Sequence, residues 1–244
     1  MIKLNVEFFH DAICSFCYPM SYRMRQLAHD IPELHVVHRS FALAPDAEAL
    51  VEQFGSHEQA KAEILTHWAH ANQVDDLHRF NITGMEKESF LFPTSMKPLR
   101  AAKAAAFVGG DACYWDVFDA LQKGLFTDHK NIEEEAVIFD LVRGCDLDFE
   151  LWKQYYISEE VQEAVLADLQ LAKQYGIHSV PSLVIDGTYL ISGAQPFTQL
   201  LAHFNNILEE KRQQQEQPIV LQSTDESGAA CTMTDGKWQC DDLN

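Results

Sequence analysis

The chain has 244 residues, enough to bury a substantial core in one or two domains, and its 47% hydrophobic content excludes general disorder. Its formal net charge of −19 at pH 7 argues against nucleic-acid binding, because the phosphates would be repelled. Residues 1–10 lack a signal-peptide pattern, and no apolar run is long enough to span a membrane. We therefore expect a cytoplasmic protein without a membrane partner, whose six cysteines serve as thiols or catalytic disulfides.

The first 41 residues predict a strand–helix–strand unit. Residues 2–9 and 34–41 have the apolar, β-branched and aromatic content of strands, and a helix from Cys17 to about Asp30 connects them. A connection of this length favours parallel pairing with a right-handed crossover. Pro19 lies within the helix, and we expect it to bend or restart the helix there.

Two cysteines lie at the junction of the first strand and this helix, in the stretch Asp11-Ala12-Ile13-Cys14-Ser15-Phe16-Cys17. A helix N-terminus has free amide N–H groups and the positive end of the helix dipole, and both favour a thiolate on Cys14. Cys17, one turn further on, can attack a mixed disulfide formed by Cys14, which is dithiol–disulfide chemistry. Half of a zinc site and two structural thiols are the alternatives, although the sequence has no second C-x-x-C motif.

Strand signals nearly vanish between residues 45 and 157, and we interpret this segment as an inserted helical domain. Apolar residues at helical spacing predict helices over residues 56–74, 98–108, 114–125, 132–143 and 149–155. Gly109-Gly110 separates the second of these helices from the third, and Gly144 ends the fourth.

The last third of the chain predicts a helix, a hairpin and a second helix. Ser158 is a helix N-cap, and Gly176 follows the end of that helix at Gln174. Asp186-Gly187 between two short apolar runs is a strong hairpin signal, and a helix follows from Pro196 to about Lys211. The predicted fold is therefore α/β, with βαβ in residues 1–44, ββα in residues 158–210, and a linker with a cysteine hairpin in residues 211–244.

Several motifs together give the chain a family resemblance. These are Glu7-Phe8-Phe9 leading to the C-x-x-C-Tyr stretch, Gly176-Ile177-x-x-Val180-Pro181, Ile191-Ser192-Gly193-Ala194-Gln195-Pro196, and the segment 93–102. The chain resembles DsbA-like thioredoxin-fold oxidoreductases, most closely their cytoplasmic FrnE-type branch, over roughly residues 3–210. The resemblance implies a thioredoxin fold with a helical insertion, no cofactor, and a cis peptide before Pro181 that faces Cys14.

The resemblance also implies a function. Cys14 attacks and Cys17 resolves in disulfide exchange with protein substrates or small thiols such as glutathione, and a thioredoxin-like reductant is a possible partner. A glutathione-dependent isomerase of the same architecture is one alternative; such enzymes have Ser at the first catalytic position, so the two cysteines argue against it. A non-enzymatic metal-binding or holdase protein, with Cys14, Cys17, Cys231 and Cys240 as ligands, is another.

Three further residues bear on this site. Glu7 matches an acidic position of the family and could relay a proton to Cys17; the alternative is a solvated strand carboxylate. Val180 is a supporting residue because it belongs to the Pro181 motif. Phe16 supplies no positive charge between the cysteines, so we expect a reduction potential near the reducing end of the range of about −270 to −120 mV.

The remaining histidines and cysteines are expected to be structural. His10 and His178 flank the site, but the chain has eleven scattered histidines, and surface positions are expected for most of them. Cys113 and Cys145 lie in the helical segment without a paired motif, and we expect buried, inert thiols.

The C-terminal tail contains a second possible redox pair, Cys231 and Cys240. A two-residue turn at Asp235-Gly236 would place these cysteines opposite each other at a non-hydrogen-bonded pair, with Cα atoms about 4.5 Å apart, which suits a disulfide. A frayed terminus with two idle thiols is the alternative. Residues 219–221, Ile-Val-Leu, could form a short strand before this hairpin.

Overall fold

The fold was described from a computed structural model that covers residues 2–216, 231–234 and 237–240. The chain begins with strand β1 (Leu4–His10), helix α1 (Cys17–Asp30) and strand β2 (Leu34–Ser40). The two strands pair in parallel, with Leu4 opposite Leu34, so the predicted unit is confirmed. The helix does not restart at Pro19, because this residue lies in the first turn of α1, where amide N–H groups have no partner within the helix.

A four-stranded sheet in the order β2-β1-β3-β4 forms the centre of the fold. Strands β3 (Ser182–Ile185) and β4 (Tyr189–Ser192) make the expected hairpin, and β3 runs antiparallel to β1. Asp186 and Gly187 in its turn have positive φ angles of 50° and 65°, as such a turn requires. Strand β1 has a neighbour on each side. The loop that follows its carboxyl end therefore lies near the middle of the sheet, at the side where β1 ends.

Alternation along β1 sends its side chains to two apolar layers. One face packs against α1 and the helix α9 (Phe197–Glu216), in a cluster that includes Leu4, Val6, Phe8, Met20, Met24, Leu200 and Phe204. On the other face, Phe9 packs with Ala172 of the helix α8 (Glu159–Gln174) and with Val184. Both faces of the central strand are therefore covered.

Six helices lie between β2 and α8. They are α2 (Ala47–Phe54), α3 (His57–Val74), α4 (Ile82–Lys87), α5 (Met96–Phe126), α6 (Glu135–Arg143) and α7 (Phe149–Tyr156). Most of their buried aromatic side chains share one cluster with Cys14 and Cys17, while Trp115 of α5 packs in the cluster of α1 and α9. The helical segment therefore packs directly against the C-x-x-C loop.

Most helix predictions in this segment are confirmed. Residues 96–126 form two helices that meet at a kink, where Gly110 has a φ of 70° and a ψ of −161°. The sequence did not predict α2 or α4, which are short, and α6 begins at Glu135 rather than at residue 132. Asn131 makes the turn before α6, since its side chain accepts a hydrogen bond from the amide of Glu133.

The last helix is longer than predicted. Helix α9 continues to Glu216, so residues 211–216 are helical and not a linker; their Lys, Arg, Gln and Glu side chains are good helix formers. Strands β5 (Cys231–Thr234) and β6 (Lys237–Cys240) form the predicted hairpin, with Cys231 opposite Cys240. The predicted turn at residues 235–236 and strand at residues 219–221 lie outside the described residues. Across the described part of the chain, no helix combines the length and apolar character needed to cross a bilayer.

Candidate active site

The C-x-x-C loop connects β1 to α1 through two tight turns. The amide of Cys14 donates to the carbonyl of Asp11 at 3.1 Å, and the amide of Cys17 donates to the carbonyl of Cys14, also at 3.1 Å. Helix α1 begins at Cys17, as the sequence predicted. Cys14 lies two residues before the N-cap of this helix, Phe16, near the helix N-terminus where the amide groups favour negative charge.

Cys14 lies against the segment that immediately precedes β3, as the family resemblance indicated. Its Sγ–H donates to the carbonyl oxygen of Val180 at 3.5 Å, although the two residues are 166 positions apart. The peptide bond between Val180 and Pro181 is cis. The structure therefore brings together Cys14, Val180 and Pro181, three residues that the sequence assigned to the site.

Cys17 is completely buried, whereas 4% of Cys14 is exposed. Burial raises the pKa of the Cys17 thiol well above its usual range, and the hydrogen bond and charge of the adjacent Cys14 raise it further. Reduced Cys17 is consequently a protonated thiol at neutral pH. The two sulfurs thus differ in access.

Asp11 is a buried carboxyl group beside this pair. Its Oδ2 accepts hydrogen bonds from Ser95 Oγ at 2.6 Å and from the Leu43 amide at 2.8 Å, and its Oδ1 accepts one from the Ile13 amide at 3.2 Å. Burial raises the pKa of Asp11 from 3.8 to about 6, although these hydrogen bonds oppose the change. The Asp11 charge also contributes to the raised pKa of Cys17. No motif in the sequence pointed to a role for this residue.

Glu7 has other partners. Its side chain is 5% exposed, so it is not a solvated strand carboxylate. It pairs with Arg39 Nη2 at 2.7 Å and accepts a hydrogen bond from the hydroxyl of Tyr175 at 2.8 Å. Strand alternation places Glu7 with Phe9 on the face of α8, opposite the face that packs on α1. This placement argues against Glu7 as the proton relay to Cys17.

Two side chains of the helical segment form hydrogen bonds with the C-x-x-C loop and Asp11. Gln122 on α5 donates from Nε2 to the carbonyl of Cys14 at 3.4 Å and to the carbonyl of Asp11 at 3.5 Å. Ser95, immediately before α5, donates to the Asp11 carboxyl. The sequence could not indicate these residues, because each lies more than eighty positions from its partner.

A second polar feature lies behind the loop. His10 and His38 are buried with Nε2 and Nδ1 3.0 Å apart, and burial lowers the pKa of both rings, so both are neutral. Lys103, which also contributes to this lowering, donates to the carbonyl of His38. The expectation of a surface position is therefore wrong for His10, while His178 is exposed as expected.

A cavity of about 250 Å³ opens beside Cys14. From the thioredoxin part its apolar walls are Ile13, Phe16 and Val180; from the helical segment and its approach they are Leu43, Ala44, Leu50, Phe54, Ile64 and Phe92. Ser15, Gln53 and His67 are its polar lining residues. Among the side chains that line it in the described part of the chain, none is Asp, Glu, Lys or Arg.

The other thiols lie elsewhere. Cys113 and Cys145 are half-buried, less than expected, and burial raises the pKa of both, that of Cys145 to about 11. Residues 2–216 contain no cluster of three or more His, Cys, Asp or Glu side chains placed to hold a metal ion. For Cys231 and Cys240 the structure describes the backbone pairing. Their disulfide stays a prediction.

The geometry of the loop and sheet agrees with a family match. The model of the DsbA-like thioredoxin domain matches residues 5–205. The chain belongs to this family. Its fold is a thioredoxin fold with a helical insertion, as the resemblance predicted. The narrower FrnE-type assignment stays a prediction from the motifs.

Solved structures share this fold. The chain is 25% identical to a probable DsbA oxidoreductase from Streptomyces coelicolor, over 99% of this chain and 100% of that one, with a TM-score of 0.64. It is 19% identical to a protein from Nitrosomonas europaea described as a candidate protein disulfide isomerase (85% and 98% covered, TM-score 0.71). The cytosolic disulfide reductase DsbM from Pseudomonas aeruginosa is 16% identical (86% and 99% covered, TM-score 0.65). No curated protein matches the chain.

Proposed function

We propose that the protein is a thiol–disulfide oxidoreductase in which Cys14 attacks the substrate and Cys17 resolves the intermediate. The observation that carries this assignment is the asymmetry of the pair: Cys14 lines a cavity, and Cys17 is fully buried behind it. A buried sulfur cannot meet a bulky disulfide first, but it can attack a disulfide already formed on its neighbour. Membership of the DsbA-like family supports the same chemistry.

The exchange conserves electrons and protons. The Cys14 thiolate attacks one sulfur of the substrate disulfide, so that the substrate S–S bond breaks, a mixed disulfide forms and one substrate thiolate leaves. Cys17 loses its proton and attacks Cys14 Sγ, which releases the second substrate thiolate. The protein dithiol thereby loses two electrons and becomes a disulfide, while the substrate disulfide gains them and becomes two thiols. The reverse sequence of steps oxidises a substrate dithiol.

Three nearby groups support these steps. Asp11 is buried beside Cys17 and has a pKa of about 6, so it is mostly ionised at neutral pH and suits a proton acceptor for the Cys17 thiol better than Glu7 does. Val180 accepts a hydrogen bond from Cys14, and Pro181 follows it through a cis peptide bond. In this proposal they keep an extended substrate segment alongside the sulfur and exclude metal ions from the pair.

The reductant and the direction of turnover follow from the same proposal. DsbM, a structural relative, has been solved with glutathione, and a glutathione or thioredoxin-like reductant would return the disulfide of this protein to the dithiol. We expect a reduction potential near the reducing end of the range of about −270 to −120 mV, because Phe16 places no cation between the cysteines. The cytoplasmic location expected from the sequence suits this direction.

A glutathione redox titration tests the function. Protein equilibrated over a series of glutathione ratios is acid-quenched, alkylated and mapped by mass spectrometry, and insulin reduction by dithiothreitol is followed in parallel. We expect reversible interconversion of the Cys14–Cys17 dithiol and disulfide, with catalysed insulin reduction. Absence of a Cys14–Cys17 disulfide at every ratio would refute the proposal.

A further inference from the structure

One face of helix α5 follows the C-x-x-C loop from end to end. Phe118 contacts the ring of His10, the last residue of β1, with ring centroids 3.9 Å apart. About two turns further along the helix, Phe126 stacks on Tyr18, which directly follows the second cysteine, with ring centroids 5.3 Å apart. Gln122 lies midway between these two phenylalanines, and side chains four positions apart share one helix face. This face therefore contacts the chain before the loop, at the loop and after it.

Gln122 joins the two turns that shape the loop. The carbonyl of Asp11 accepts the amide hydrogen of Cys14, and the carbonyl of Cys14 accepts the amide hydrogen of Cys17. Gln122 Nε2 donates to both of these carbonyl oxygens, at 3.5 Å and 3.4 Å respectively. The position of one cysteine relative to the other is therefore tied to a single amide group on α5.

The orientation of this amide group follows from its partners. Both partners are carbonyl oxygens, which only accept hydrogen bonds, so the side-chain nitrogen of Gln122 and not its oxygen faces the loop. The side chains of Gln122, Phe118 and Phe126 are all completely buried, which leaves the amide little freedom to rotate. Its Oε1 accepts no hydrogen bond from the residues that the structure describes. Within that part of the chain, the two loop carbonyls are therefore the polar partners that hold this group.

The contact with α5 acts differently on the two redox states of the loop. In the oxidised protein, the S–S bond itself fixes the distance between Cys14 and Cys17. In the dithiol, and in a mixed disulfide on Cys14, packing and hydrogen bonds alone hold Cys17 near its target sulfur. Loss of a contact that orders the loop therefore releases more conformational freedom in these two states than in the cross-linked one.

We propose that Gln122 is a positioning residue that raises the effective concentration of the Cys17 thiol at Cys14, an inference that rests on the function proposed above. It favours the resolving step, in which the Cys17 thiolate attacks Cys14 Sγ, the S–S bond between Cys14 and the substrate breaks, and the substrate thiolate leaves. Groups held in the right geometry react far faster than free ones, so a small displacement of Cys17 reduces this advantage. Gln122 thereby shifts the equilibrium toward the Cys14–Cys17 disulfide.

Glutathione equilibria separate positioning from the reactivity of Cys14 itself. The full-length protein is equilibrated with mixtures of glutathione and glutathione disulfide, acid-quenched, alkylated and mapped by mass spectrometry. The constant K1 describes the exchange of the dithiol with glutathione disulfide, which forms the glutathione adduct on Cys14 and releases one glutathione. The constant K2 describes the exchange within this adduct, which forms the Cys14–Cys17 disulfide and releases the second glutathione. K2 is the effective concentration of Cys17, measured against free glutathione.

Gln122→Met and Gln122→Leu remove the donor and keep a buried side chain. Each loop carbonyl still accepts its amide hydrogen bond, so neither is left without a partner and both variants should fold. We expect K2 to fall about threefold to tenfold, the range that loss of one or two weak hydrogen bonds gives, while K1 stays within about twofold of the wild type. A tenfold fall in K2 makes the reduction potential about 30 mV less negative.

Two control variants separate this effect from a general loss of packing. Gln162→Met makes the same side-chain change at an exposed position of α8, and Phe204→Leu weakens the apolar cluster that α1 and α9 form with the sheet. Both controls should keep K1 and K2 close to the wild-type values. An unchanged K2 in the Gln122 variants, an equal fall in Phe204→Leu, or a change confined to K1 would overturn the proposal. A wild-type protein that forms no Cys14–Cys17 disulfide at any glutathione ratio would instead refute the proposed function.

Discussion

The pairs Cys14–Cys17 and Cys113–Cys145 contain the same thiol groups in opposite surroundings. Cys14 precedes the N-terminus of α1 and lines a cavity. Cys145 follows the C-terminus of α6, where its Sγ lies 3.6 Å from the carbonyl oxygen of Leu141 and 3.8 Å from that of Asp116. Cys14 and Cys145 therefore lie at helix ends of opposite polarity.

Helix polarity, burial and neighbouring charges together set the reactivity of each thiol. The amide groups at a helix N-terminus stabilise a thiolate, whereas the carbonyl groups at a C-terminus destabilise it. At Cys145, burial and then the charges of Asp116 and Cys113 raise the thiol pKa to about 11. A thiol with this pKa is almost entirely protonated at neutral pH and is a poor nucleophile. The comparison teaches that the surroundings of a thiol, which are its helix end, its burial and the neighbouring carboxylates, matter more for redox chemistry than the presence of a second cysteine.

The largest expected effect on the rate of insulin reduction comes from removing the reactive thiol, Cys14. Cys14→Ser removes the thiolate nucleophile, so insulin reduction by dithiothreitol should fall by about a hundredfold or more, to the uncatalysed rate. Cys145→Ser keeps a small polar side chain at the other pair and should leave the rate within twofold. Comparable losses in the two variants would place catalysis outside the C-x-x-C loop.

The aspartates beside the two pairs sharpen the comparison. Asp11 is buried and its pKa is raised to about 6, while the side chain of Asp116 is half-exposed. A carboxyl group with a raised folded-state pKa holds its proton in the folded protein between pH 4 and 6, where the unfolded chain has lost it. Ionised Asp11 therefore destabilises the fold above about pH 6, and this cost disappears as the pH falls to about 4.

Asp11→Asn should accordingly flatten the pH dependence of stability. We expect the free energy of unfolding of the wild type to decrease by up to about 3 kcal/mol from this group between pH 4 and 6. The variant should lack this component, even though its amide cannot satisfy every donor that Asp11 accepts. Urea titrations at several pH values measure the slope. Asp140→Asn removes an exposed carboxyl and should retain the wild-type slope; an unchanged slope in Asp11→Asn would contradict the assignment.

The smallest expected effect concerns the third pair. Cys231 and Cys240 lie opposite each other on β5 and β6, and we predict a disulfide between them under oxidising conditions. Its loop of about ten residues gives at most roughly 3 kcal/mol of stabilisation in the chain-entropy model, and this is local to the tail. Cys231→Ser should therefore leave the urea midpoint of the core unchanged. Mass spectrometry of thiol-blocked protein across a glutathione series detects the bond, and its absence under strongly oxidising conditions would refute the prediction.

The sequence predicted those parts of the fold and site that depend on local pattern. The strand before Cys14, the helix after it and the Asp186-Gly187 turn each carry their signal within a few residues. The meeting of Cys14 with Val180 across 166 positions required the family motif, since no local pattern joins them. The short helices α2 and α4 have too few turns to show a clear period.

The contacts that hold the loop could not be read from the sequence. Aspartate is common at helix N-termini and in turns, so the residue type alone did not single out Asp11. Its role becomes clear from its hydrogen bonds with Ser95 and with the amide of Leu43. In the sequence, nothing distinguishes Gln122 from other polar residues of a helix. Its hydrogen bonds to the loop carbonyls are visible in the structure alone. An Asp three positions before the first cysteine was the one available signal, because this residue type accepts amide hydrogen bonds in turns.

The division of roles between the two active-site sulfurs is tested most directly by trapping. Cys17→Ser protein is mixed with a disulfide-containing peptide substrate, alkylated and mapped by mass spectrometry. We expect a stable mixed disulfide on Cys14, because the resolving thiol is gone, while the matched Cys14→Ser variant forms no adduct on buried Cys17. Full turnover by Cys17→Ser together with a substrate adduct on Cys17 in Cys14→Ser would contradict the assignment and reverse the two roles.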